Sequence, residues 1–226
     1  KLIVSRKMKY SVGIIILAVF ISQNEATPAR DVRELYLKSR DIRSSLELYK
    51  VRMIPEENGK FAAVEQYQNE MAELYVDNTF ASIETEDHED CMSALKIELD
   101  SILMSYRNTT EDCIRKSTPH WGMIIAEMND LITKGLKFEA KVDGIESTCA
   151  DHNAGIFEQC LDKYVPELKD FVVYYQDREA RLKTEVQVFT GLGFAEFGVC
   201  NKSSMEEFRK RLITADEDAR ECIKVE

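Results

Sequence analysis

Six cysteines behind an apolar leader constrain this chain more than any other feature. Met8-Lys9-Tyr10 opens a short cationic stretch, and the ten residues from Val12 to Ile21 are apolar apart from one glycine. A basic start, a short apolar run and then small or polar residues describe a secretory signal peptide, whereas a membrane span needs roughly 20 apolar residues. Cleavage is expected between Ser22 and Ala29, where Ala26 and Ala29 are the small residues suited to the cut. Lys1 to Lys7 read as upstream sequence. Residues 1–26 are therefore assigned to upstream residues and leader, starting at Met8, and 27–226 to a single helical, disulfide-stapled domain.

Cys91, Cys113, Cys149, Cys160, Cys200 and Cys222 all follow the leader. An even count in an exported chain argues for three disulfides. No CxxC or CxxxC occurs, which removes zinc ribbons, thioredoxin-like redox pairs and the insect odorant-binding pattern. The possible connectivities, on the order of fifteen, stay open. Successive pairs lie 22, 11 and 22 residues apart. Eleven helical residues make almost three turns, so such cysteines share a face but sit roughly 16 Å apart, beyond disulfide reach. Bridges should then link different helices, unless a turn such as Asn153-Ala154-Gly155 interrupts the segment. The stretch from Cys91 to Cys113-Ile114-Arg115-Lys116 also parallels, at equal spacing, the stretch from Cys200 to Cys222-Ile223-Lys224-Val225.

Charge narrows the partners. Thirty Lys and Arg against 41 Asp and Glu give a net −11, and no basic stripe interrupts the mixture. Cleavage after Ala26 would remove Lys1, Arg6, Lys7 and Lys9 against Glu25, leaving −14. Such a surface repels phosphate backbones and anionic lipid heads, so neither nucleic acid nor, after cleavage, a membrane is an expected partner.

Apolar residues recur with helical period almost throughout. Residues 31–53 read as a helix in which Leu35, Ile42 and Tyr49 repeat by sevens. Pro55 to Gly59 reads as a breaker, followed by a helix from about Lys60 to Asn78. A third helix begins near Cys91, after the acidic patch Glu84–Asp90. Asn108 to Asp112 supplies cap-type residues, and Thr118-Pro119 reads as a helix start. Gly135 and Gly144 weaken the next stripe. The longest one, Ile156 to Leu182, contains Pro166 as an expected kink. Gly191 to Gly198 reads as a break before a last helix, Ser203 to Lys224. The expected fold class is all-α, a bundle of about five to seven helices, several of them long, stapled by disulfides.

Catalytic signals are absent from the pattern. His88, within the acidic patch, offers oxygen-rich surroundings to a hard cation but lacks the glycine and alternation of a calcium loop. His120 adjoins Trp121, where packing at a helix start is the simpler role, and His152 reads as a surface residue. Gly191-Leu192-Gly193 has neither the preceding strand nor the glycine spacing of a phosphate loop. No enzyme, metal or cofactor is expected. Asn108-Thr109-Thr110 and Asn201-Lys202-Ser203 are N-glycosylation sequons, the second beside Cys200. The expected function is a secreted binding or structural component, partnered by an extracellular protein. The alternative is a carrier holding a small apolar ligand between helices.

The segment Cys149-Ala150-Asp151-His152-Asn153-Ala154-Gly155-Ile156-Phe157-Glu158-Gln159-Cys160-Leu161, flanked by Cys91, Cys113 and Cys200, resembles the insect TsetseEP-domain (DUF725) family of secreted proteins over approximately Phe61 to Val199. The resemblance implies an extracellular insect protein of gut, haemolymph or reproductive fluid without established catalysis. The Glu-Pro repeats that name the family are absent, since Pro28, Pro55, Pro119 and Pro166 are all isolated.

Overall fold

The computed structural model describes residues 27–83, 88–150 and 154–225. Five helices occur among them: α1 Pro28–Ala81, α2 Glu89–Ser117, α3 Gly122–Ala150, α4 Ala154–Asp162 and α5 Val165–Val225. The described chain is all-α. Four long helices build it, where the pattern suggests five to seven, and the remaining helix, α4, has only nine residues. The leader lies outside the described residues.

Two expected breaks are missing, and each absence has a cause. α1 runs straight through Pro55. A proline inside a helix frees the carbonyl four residues earlier; here that is Val51, which is exposed together with Pro55 itself, so water satisfies it. α5 likewise runs through Gly191–Gly198, because the segment is held by packing rather than by propensity. Phe194 stacks on Phe61 of α1 at 4.3 Å between ring centroids. Gly193 lies against the Ser117 carbonyl and the Phe61 ring.

Other boundaries fall where local chemistry puts them. Thr27 Oγ1 accepts from the Arg30 amide at 3.4 Å and Pro28 takes the first helical position, a favourable pairing for a helix start. Asn108–Asp112 is not a cap. α2 continues to Ser117, and the Thr109 hydroxyl donates back to the Ser105 carbonyl at 2.9 Å. The helix ends instead at Thr118, extended at φ −67° and ψ 122°, as a residue before proline must be. Pro166 is a boundary, not a kink: α4 stops at Asp162, and Pro166 sits in the first turn of α5. Gly135 and Gly144 both remain inside α3.

The chain divides into two compact units, one of the described residues through Glu47 with Asn129–Ala180, the other of Leu48–Met128 with Arg181–Glu226. In the first, Phe138 of α3 stacks on Phe171 of α5 at 4.3 Å, and Phe171 tilts against Tyr175. Its buried positions follow sevens. On α3 they step from Leu131 through Gly135, Phe138, Val142 and Ile145 to Cys149, and on α5 from Val165 through Leu168 and Val172 to Tyr175, with half-buried Glu179 next in the row.

The second unit follows elevens. On α2 the buried residues Cys91, Leu95, Leu99, Ile102, Tyr106, Thr110, Cys113 and Ser117 follow steps of four, four and three, with Met92 and Ile114 buried beside the row. On α5, Leu182, Val186, Thr190, Gly193, Phe197, Asn201 and their successors Ser204, Phe208, Leu212, Ala215 and Ala219 keep the same steps, every one buried or half-buried. The 22-residue cysteine spacings are two of these repeats. Periods of 3.5 and 3.67 residues per turn favour opposite senses of superhelical wind, and α5 changes period at Leu182, next to the end of the first unit at Ala180.

Pairings fix the directions. Cys91 joins Cys222 and Cys113 joins Cys200, with Cα atoms 5.9 and 5.7 Å apart. The lower number rises by 22 as the higher falls by 22, so α2 and α5 are antiparallel in one unslipped register. Glu57 meets Thr190 and Phe61 meets Phe194, so α1 and α5 run parallel there. Cys149 and Cys160 close the α3–α4 turn with Cα atoms 5.7 Å apart, the case in which a break lets cysteines eleven apart meet.

Each bridge should be separable by measurement. The Cys113–Cys200 bridge already shortens the loop that Cys91–Cys222 closes, so Cys91→Ala/Cys222→Ala should cost about 4 kcal/mol and Cys149→Ala/Cys160→Ala about 3 kcal/mol. Full reduction should lower the melting temperature markedly, and an unchanged melt would refute the staples. Gly193→Ala should destabilise by about 1–3 kcal/mol in urea titration, because the added methyl meets the Ser117 backbone rather than a movable side chain.

Candidate functional site

Each unit hides a polar seam in its apolar interior. In the first unit, Arg43 of α1 forks onto Glu139 of α3, with Nε donating to Oε1 at 2.8 Å and Nη2 to Oε2 at 3.3 Å, while Nη1 donates to Glu47 at 2.8 Å. These two carboxylates raise the Arg43 pKa, and the paired geometry is the strong form of a charge-assisted bond. Tyr175 lies nearby in electrostatic terms and is fully buried. Its hydroxyl rests against Gly135, where a Cβ would collide with it. Among the described residues that hydroxyl finds no hydrogen-bond partner, nor does the buried Ser39 Oγ.

The second unit carries a different seam. The Tyr106 hydroxyl lies 3.2 Å from both Gln68 Oε1 of α1 and Asn201 Oδ1 of α5, and the Thr110 hydroxyl lies 3.5 Å from Asn201 Oδ1. Glu57 is buried on the α1 stripe, where Oε2 accepts from Thr190 Oγ1 at 2.9 Å and from Lys60 at 2.7 Å. Trp121 is buried and its indole donates to Asn58 Oδ1 at 3.1 Å.

The residues singled out by the sequence pattern take their places around these seams. All six cysteines are bonded. Asn108 is exposed on α2. Asn201 is only 7% exposed and its carboxamide belongs to the Tyr106 seam, so in this fold the second sequon falls on a buried residue. A signal for this exists in the pattern: Asn201 falls four residues after Phe197 on the apolar stripe. His120 is exposed, away from the buried face its Trp121 neighbour occupies. His88 precedes α2 and makes no side-chain cap bond. Glu84–Asp87 and His152 lie outside the described residues. Gly191-Leu192-Gly193 is helix, not loop. Among the described residues no group of three or more His, Cys, Asp or Glu could hold a metal ion.

Sequence reasoning misses the surface troughs of the second unit. One of about 440 Å³ runs between α1 and α5 past Tyr75, Arg209, Leu212 and Asp216; another of about 390 Å³ runs between α2 and α5 past Tyr106, Ser203, Phe208 and Arg211. Both open to solvent. Arg209 reaches across the first, its guanidinium 5.4 Å from the centre of the Tyr75 ring and donating to the Tyr75 hydroxyl at 3.2 Å. Such surfaces offer shape and a few polar anchors.

Burial pushes the Tyr175 phenol well above its ordinary value of 10.0. Above about pH 10 the unfolded chain therefore releases a proton that the folded one retains, so stability is whole below that pH and falls as pH rises further. Tyr175→Phe should remove this part of the alkaline loss. It should also raise stability at neutral pH by about 1 kcal/mol, since it deletes a buried hydroxyl that finds no partner among the described residues; urea titrations at pH 7 and 11 measure both. No protein-family model matches the chain, and neither a curated protein nor a solved structure does.

Proposed function

We propose that the protein is a secreted, non-enzymatic component of an extracellular fluid that works by binding another protein or by structural presence. The resemblance to insect TsetseEP-domain proteins belongs to this proposal. The observation that carries the reading is the pair of bridges between α2 and α5, closing stretches of 131 and 87 residues. Disulfides of this kind form and persist in oxidising compartments. No described helix is long and apolar enough to cross a membrane, and the net charge of −11 suits a well-solvated surface.

Between partner classes, the troughs favour a protein. They are open along the helices and edged by Arg209, Asp216 and Arg211, which suits a docked chain with polar anchors. A small apolar ligand calls for walls on all sides. Asn108, exposed on α2, is the glycan-bearing position in this reading.

Expression of the whole chain in a secretory cell line tests it. The protein should accumulate in the medium, start near residue 27, show no free thiol, and lose a glycan on Asn108→Gln substitution. Retention in the cell with titratable thiols would overturn the proposal.

A further inference from the structure

We infer that α5 carries a self-complementary seam on which a second copy of this chain docks antiparallel. Between Val186 and Val199 there is one charged residue, Glu196, in a chain that is 31% charged. The core face of this segment is Val186, Thr190, Gly193 and Phe197. Moving two residues along from each gives Val188, Leu192, Ala195 and Val199, about 200° around the helix. That opposite face is exposed, with Val188 55%, Leu192 55% and Val199 77% accessible. A helix that is apolar all round is normally covered all round, and the described residues cover this one on a single side.

The flanking residues say what covers it. Extending this row in both directions gives Arg181, half-buried Glu185, Val188, Leu192, Ala195, Val199, Lys202 and Glu206, in steps of four and three. That is the seam spacing of a coiled coil, carried by a helix whose core face here repeats by elevens. The row is also a palindrome of character. An antiparallel partner centred between Gly193 and Phe194 places Val188 against Val199, Leu192 against Ala195, and Glu185 against Lys202, with Arg181 against Glu206 beyond. Every contact then occurs twice about a two-fold axis, the form an isologous dimer requires. Register slips of a turn would lose the Glu185–Lys202 match.

The glycines add an independent argument. Gly193 is explained by the core. Gly191 and Gly198 are exposed, and a Cβ at either would meet nothing within 4 Å. Each nevertheless weakens the helix interior by about 1 kcal/mol relative to alanine. On the seam they let a second backbone approach closely.

The seam is short, at the low end of specific interfaces, so the association is reversible. Sedimentation equilibrium of the oxidised, full-length protein over roughly 5–500 μM should show monomer and dimer in exchange. Leu192→Glu should give monomer throughout with unchanged helical circular dichroism. Lys202→Glu should weaken the dimer about tenfold, and Glu185→Lys with Lys202→Glu should restore it. Gly191→Ala/Gly198→Ala should raise the melting temperature of dilute protein while weakening the dimer, two effects of opposite sign that a merely structural role would not produce. A wild-type monomer across the whole range, a dimer that survives Leu192→Glu, or a double charge exchange that fails to restore association would each overturn the inference.

Discussion

Register is the quantity on which the second unit depends, and two covalent bonds hold it. A helix pair joined by one bridge can still pivot or fray at its free ends. Joined twice, 22 residues apart along both strands of the pair, it has no freedom to slide, because a shift of one turn would have to break both bonds. The remaining interactions of that unit presuppose this alignment. Tyr106 meets Asn201, and its ring lies 4.7 Å from that of Phe208; either contact would be lost on a slip. A slip would pull the Tyr106 and Asn201 side chains apart and strip a buried hydrogen bond from each, so the polar seam punishes the same slips that the bridges forbid.

The first unit reaches its register without a bridge among its three long helices. Its disulfide joins α3 to the short α4. What aligns α1 with α3 is the fork of Arg43 on Glu139, and what aligns α3 with α5 is the Phe138–Phe171 stack with Lys141 paired to Glu167. A half-buried bidentate pair is costly to break and roughly neutral to possess, which makes it a device of specificity more than of stability. Gly135 is the counterpart in sterics. It admits the full depth of Tyr175 at one position on α3 and would refuse it under any larger side chain.

Much of this is legible in the amino acids, and the rest is not for physical reasons. Leu35, Ile42 and Tyr49 announce a heptad stripe. The cysteine spacings of 22 residues announce the eleven-residue repeat of the second unit, because cysteines that bridge twice along one helix pair must share its core face. The pairing itself needs spatial direction: only the antiparallel run of α2 and α5 turns equal spacings into Cys91–Cys222 and Cys113–Cys200. Pro55 misleads because its cost depends on whether the freed carbonyl is wet, a property of the fold and not of the residue. Gly191–Gly198 misleads in the same way, since Phe194 and Gly193 are held by Phe61 and the end of α2, contacts far away in sequence. Asn201 carries a sequon, but its place on the stripe is the stronger signal.

The two periods bear on what kind of partner the molecule can meet. A helix with one apolar face and one charged face has its packing decided within the chain. α5 departs from that rule most clearly between Val186 and Val199, and it does so where an interior face is already packed: Val186 and Phe197 are buried, Phe61 is stacked on Phe194, and the Cys113–Cys200 bridge lies one turn beyond Phe197. The outer residues Val188, Leu192 and Val199 are more than half exposed, and they present oily surface in a chain otherwise dense in charge. They sit on a continuous helix that is tied to α2 just beyond them, at Cys200, so the backbone of the exposed face is already helical before any partner arrives. Little conformational entropy is then lost on contact, which is the condition under which a small apolar seam suffices for association.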